Sequence, residues 1–268
     1  MKKQAAIKCF LVSLSLVLLV SCGNTSSTGT ENTNSQAKEN ISSSQAVEQK
    51  VEKKEEVYEK FRKAEKENVI GDEEQQLVEL SEALEKLQLE YAKDEEIGDV
   101  LAITSPYCNK NEESGQSCVA PFIYIFGPSV DPMLGIGFMY IDSQYLGVDT
   151  VEIDTDEHRY TYNSDTFLDI VKNKTVINSE NVEKSEEMAI RIAVDQDDLE
   201  KDIDVLIDML ESDAVSLRFG KYNMAKPDLV ECPMPENDKQ AIVDVLNAYY
   251  LYLNTTQAVR ARALAELT

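Results

Sequence analysis

Fifty carboxylates, five cysteines and a single histidine are the groups this 268-residue chain offers to chemistry. Any Ser-His-Asp or Cys-His arrangement must run through His158, the one imidazole. It adjoins Asp154-Thr155-Asp156-Glu157, which reads as a polar hairpin turn before a metal loop, so His158 is expected at an exposed strand end. The run Asp195–Asp213 holds nine carboxylates and one lysine, a composition that suits calcium. Yet the sixth position counted from Asp195 is Glu200 and not glycine, so the EF-hand spacing is missing. The run is expected to be the solvated face of a helix, with its first aspartates complementing the helix dipole. Zinc would need Cys108, Cys118, Cys232 and His158 together, without any Cys-x-x-Cys pair to support it. Neither Gly-x-Ser-x-Gly, His-Glu-x-x-His nor a glycine-rich phosphate loop occurs. A carboxylate-dependent hydrolase of cell-surface polymers is the alternative reading, but so many acids guarantee close pairs and their number signals nothing. No residue is assigned as catalytic, as a metal ligand or as a cofactor ligand, and no cofactor is expected.

Cys22 has the most definite chemistry. Lys2, Lys3 and Lys8 precede an apolar run, Phe10 to Val20, interrupted only by two serines. A helix needs about 20 residues to cross a bilayer, so this run fits the core of a secretory signal better than a membrane span. It ends in Leu19-Val20-Ser21-Cys22, which resembles the lipobox of bacterial lipoproteins. That resemblance implies a signal peptide over 1–21, cleavage before Cys22, and diacylglycerol and acyl groups on Cys22. It places the rest of the chain outside the cytoplasm, at the cell surface or in the periplasm. Two or three acyl chains make such an anchor durable, each buried methylene contributing about 0.8 kcal/mol.

Loss of residues 1–21 removes three lysines and no acid, taking the formal charge from −24 to −27. Nucleic acid and anionic bilayer surfaces repel such a chain, which excludes them as partners. Cys108, Cys118 and Cys232 remain, and an oxidising compartment would permit a Cys108–Cys118 bridge. Three buried or free thiols are the other possibility.

These groups need elements to position them. Residues 22–47 contain hardly any large apolar side chain after Cys22 and read as a flexible tether. Residues 48–98 read as helical and coiled-coil-like: a charged stretch with Val51, Tyr58 and Phe61, a break at Gly71, then a helix opened by Asp72 and Gln75. That second helix carries Leu77, Leu80, Leu84, Leu87 and Tyr91 in an a/d stripe, which must pack on its own domain or on a partner helix. Residues 99–268 read as α+β, with about six to seven largely antiparallel strands and helices on one face. The strand signals are Val100–Thr104, Phe122 to Phe126, Leu134 to Tyr140, the hairpin Val148–Ile153 with Arg159–Tyr162, Met188 to Val194, and Val215 to Phe219. The helix signals are Leu199, Ile203, Leu206 and Leu210 behind Asp197, Ile242, Val245, Tyr249 and Leu253 behind Pro235, and a last helix from Thr256.

In this order and pattern, residues 80–254 resemble a recurrent α+β domain of exported bacterial lipoproteins. The resemblance implies fold and compartment and carries no assigned activity. Tyr160, Tyr162, Tyr250 and Tyr252 are candidate binding anchors. The expected function is thus a lipid-anchored envelope protein with a non-enzymatic domain that binds another envelope protein or a small ligand.

Overall fold

The computed structural model describes residues 60–61, 72–94, 98–177, 182–193, 195–221 and 228–267. The signal, Cys22 and the tether fall outside the described residues. The fold is α+β, and every strand pairing is antiparallel. Among the described residues ten strands form two sheets. The first runs β1 (Gln88–Asp94), β2 (Gly98–Thr104), β3 (Cys118–Ile125), β4 (Met133–Asp142), β8 (Val182–Ile192), β7 (Asp169–Ile177). The second runs β10 (Asp228–Pro233), β9 (Ser216–Lys221), β5 (Thr150–Asp154), β6 (Arg159–Asn163). The hairpin and the strand after the acidic helix thus leave the main sheet and build their own.

Helix α1 (Glu73–Leu84) starts where its cap predicts, with the Asp72 carboxylate accepting from the Gln75 amide at 2.9 Å. Its leucines answer the coiled-coil question. Leu77, Leu80, Leu84 and Leu87 are buried in the chain's own core, where α1 packs on α4 (Glu236–Leu253) and α5 (Gln257–Glu266). Phe61 is buried with them, its ring edge-on to Tyr250 of α4 at 6.3 Å. The helix ends at Leu84 and does not reach Tyr91, because the next residues pair with β2, Tyr91 opposite Leu101.

On β3, Val119, Ile123 and Ile125 share the main core with Leu134, Ile136 and Phe138 of β4 and with α4. The other side carries Phe122, Tyr124 and Phe126 beside Met133, Met188, Ile190 and Ile192. Gly135 stands opposite Phe122, and a Cβ there would meet the phenyl ring at 2.2 Å, so the strand needs glycine to let the ring lie across it. The second sheet closes the main core from another direction, with Tyr162 against Phe138 (5.2 Å) and Phe219 against Tyr140 (5.5 Å). Helix α3 (Gln196–Glu211) lies among these layers. Ile203, Val205, Leu206, Ile207, Met209 and Leu210 are all buried, far more of its circumference than one solvated face allows. Its cap is Asp195, which accepts from the Asp198 amide at 2.9 Å, and not Asp197.

Helix α2 (Pro106–Ser114) has no counterpart among the sequence signals. It sits where β2 has ended and β3 has lost a neighbour. Two devices protect that free edge. Pro121 has no N–H to offer, and the Val119 amide donates to the carboxylate of Asp238 in α4 at 2.7 Å.

Candidate functional site

The second half of strand β8 turns Glu187, Ala189 and Arg191 inward, on the side opposite Met188, Ile190 and Ile192. Arg191, nearly buried, donates from Nε to both carboxylate oxygens of Asp202 (3.1 and 3.0 Å) and from Nη2 to Asp198 (2.6 Å). The Tyr162 hydroxyl donates to Asp202 at 3.0 Å, with the Arg191 guanidinium 5.6 Å from the Tyr162 ring. Asp202 is 1% exposed. Burial pushes its carboxyl up from the ordinary carboxylate range, while the Arg191 charge and the Arg191 and Tyr162 hydrogen bonds pull it back without cancelling the shift. Burial opposes the charge on Arg191, but the two aspartates outweigh it and hold the guanidinium above its usual value. Four positions earlier, fully buried Glu187 is paired with Lys172 (2.6 Å) and accepts from the Gly147 amide (2.6 Å). Its carboxylate pins the loop before β5 to β8. The strand is thus correctly placed by its period, but Glu187 and Arg191 face the core because each has a charged partner there.

A second cluster gathers around Asp208 of α3. One of its oxygens, Oδ2, accepts from the Thr155 hydroxyl (2.7 Å) and the Tyr160 hydroxyl (3.0 Å), and lies 3.1 Å from His158 Nδ1. Thr155 also donates its N–H to the His158 carbonyl (2.9 Å), and the Asp213 amide donates to Asp156 (2.6 Å). The turn 154–158 is therefore a hairpin turn, as its composition indicates, and it is bolted to α3. His158 is 57% exposed on its side chain and forms a His–Asp pair. Among the described residues no hydroxyl or thiol is hydrogen-bonded to its ring, the contact that a triad nucleophile would make. On the turn's other side Asp154 pairs with Arg159, and Glu152 with Arg218 at 2.8 Å.

Of the acidic run, Asp197, Glu200, Asp204, Glu211 and Asp213 are exposed, as expected, but Asp202 and Asp208 depart from the solvated face to hold sheets and helix together. Among the described residues no group of three or more His, Cys, Asp or Glu side chains could hold a metal ion. Of the two readings of Cys108 and Cys118, a bridge or separate thiols, the structure has the second: both are buried and unbridged. Cys108 packs with Ala120 and Ala241 between α2 and α4, while Cys118 lies in a separate cluster with Met139 and Ile141. Burial raises the Cys108 thiol to about 11, which keeps it protonated and unreactive at neutral pH. Cys232 is half-buried and also free, its thiol pushed up by burial.

The tyrosines are framework rather than free surface. Tyr252 is fully buried, donates to the Gly127 carbonyl (3.1 Å) and lies under the Arg260 guanidinium at 4.9 Å. Tyr162 is bound to Asp202 and Tyr160 to Asp208, and Tyr250 is half-buried against Phe61. Reading along the sequence misses Arg191 with Asp202 because the partners are 11 residues apart on different elements; the visible signal is a charged residue inside an otherwise apolar alternation. Among the described residues no helix is long and apolar enough to cross a membrane. No protein-family model, no curated protein and no solved structure matches the chain.

Proposed function

We propose that the chain is a lipid-anchored lipoprotein of the bacterial envelope whose α+β domain is a binding module rather than an enzyme. The observation that carries the reading is Leu19-Val20-Ser21-Cys22 at the end of a short apolar run behind three lysines. Lipid on Cys22 holds the domain at a membrane face outside the cytoplasm. The formal charge of −27 after processing keeps the domain itself off anionic lipid. A binding role draws support from how the polar groups are used: Arg191, Asp202, Glu187 and Asp208 satisfy one another and brace the fold. The apolar contact surface that suits a partner is the side of the larger sheet away from the helices. There Phe122, Phe126, Met133, Leu168 and Met188 are only partly buried, and aromatic and thioether side chains adapt to varied partners. The helix stripe is no longer that surface, since α4 and α5 cover it.

Two measurements test this. Cys22→Ser should leave the membrane fraction or accumulate with residues 1–21 still attached; a fully processed, membrane-bound variant contradicts the anchor. A photo-crosslinking residue at Phe126 of the anchored chain should give adducts with a defined envelope component, while one at exposed Glu200 should not. Equal yields at the two positions, or none at either, contradict the binding surface.

A further inference from the structure

Asp238 is 0% exposed, and no lysine, arginine or histidine pairs with it among the described residues. It stands at the third position of α4. Its two oxygens meet two neutral donors, the Val119 amide of β3 (2.7 Å, to Oδ2) and Asn111 Nδ2 of α2 (to Oδ1). Beside them, Asn111 is 1% exposed, and its carbonyl oxygen has no hydrogen-bond partner among the described residues. Among the described side chains of α2, the titratable group that interacts with Asp238 is the Cys108 thiol, held neutral by burial. On α4 the neighbouring Lys239 is directed instead to the Ser212 carbonyl. A charged carboxylate here is buried without a counter-ion and next to an unsatisfied acceptor, two costs that one proton removes together.

We propose that Asp238 is a proton-operated latch: as a neutral acid it joins α2, β3 and α4, and on ionisation it loosens that joint. In the latched state a proton on Oδ2 donates to the Asn111 carbonyl oxygen while Oδ1 accepts from Asn111 Nδ2. This closes a two-bond acid–amide pair, and Oδ2 still accepts from Val119. Ionisation releases the proton to solvent, leaves the Asn111 carbonyl unpaired and puts a bare charge in the core. Burial supports the same direction, raising this carboxyl to about 7 against the pull of the Val119 and Asn111 hydrogen bonds and of the helix N-terminus. A folded-state value above the unfolded one means that the folded chain binds the extra proton. The group's contribution to stability is therefore complete below about pH 4 and is lost as pH rises through about 7. The latch holds whatever the domain binds.

The test is the folding equilibrium of the full chain and of Asp238→Asn in denaturant at pH 5 and pH 8. Asparagine at this position cannot ionise, so the stability of the variant relative to the natural chain should rise about 100-fold between the two pH values, whatever its offset at pH 5. A relative stability that changes less than threefold overturns the latch. Should the variant not fold, the Asp238 side-chain carboxyl carbon can be titrated by NMR in the natural chain. A midpoint above 5.5 supports the latch, and one below it overturns the proposal.

Discussion

The α3 region and the joint of α2, β3 and α4 each bury an aspartate, and they satisfy it in different ways. Asp202, at 1% exposure, has the Arg191 guanidinium on both oxygens and a tyrosine hydroxyl as well. Asp238, at 0%, has among the described residues an amide and a backbone N–H. Burial pushes both carboxyls upward, so depth alone does not separate them. What differs is whether an opposite charge or a proton makes burial tolerable. The first solution fixes a geometry at any ordinary pH, and the second makes the geometry conditional on pH.

Removing the cation should make the first region behave like the second. Arg191→Met leaves Asp202 buried without its charge partner and should cost about 3–5 kcal/mol at neutral pH by urea unfolding. The loss should shrink as pH is lowered toward 5, because a proton can then stand in for the guanidinium. The double change Arg191→Met with Asp202→Leu should recover most of it, since a well-packed apolar pair replaces a buried ion pair at little cost. A pH-independent loss for the single variant would break the comparison.

Smaller effects map the rim of the same region. Asp208→Ala strips the acceptor from Thr155 and Tyr160, both half-buried, and should cost about 1–3 kcal/mol in the same assay. His158→Ala removes one exposed partner of that carboxylate and should cost less than about 1 kcal/mol. A larger loss for His158 than for Asp208 would mean that the ion pair, and not the two hydroxyl donors, bolts the turn to α3.

Much of the fold is legible before any coordinates. Alternation locates β4, β5, β6, β8 and β9, the cap at Asp72 acts as its position predicts, and the last helix follows Thr256. Other elements are hidden for identifiable reasons. Helix α2 has no apolar stripe; its hold comes from Cys108 packing and from Asn111 meeting Asp238, a residue 127 positions away. Strand β1 is masked because Leu84, Leu87 and Tyr91 continue a helical spacing, and only pairing with β2 decides against it. The short β10 ends in a proline. The polar clusters were least legible. Asp202 looks like one more acid on a solvated helix, and Asp238 like a first-turn acid placed for the helix dipole. Neither pattern carries the burial that makes them matter. Cys22 is the opposite case, since the lipid proposed for it is read from a local motif alone.

The lipid proposed on Cys22 is tested by the intact mass of the protein extracted from the membranes of cells that process it. The expected species begins at Cys22, without residues 1–21, and carries the added mass of a diacylglycerol with or without a further acyl group. A chain that retains residues 1–21, or one cut elsewhere with Cys22 unmodified, would contradict it.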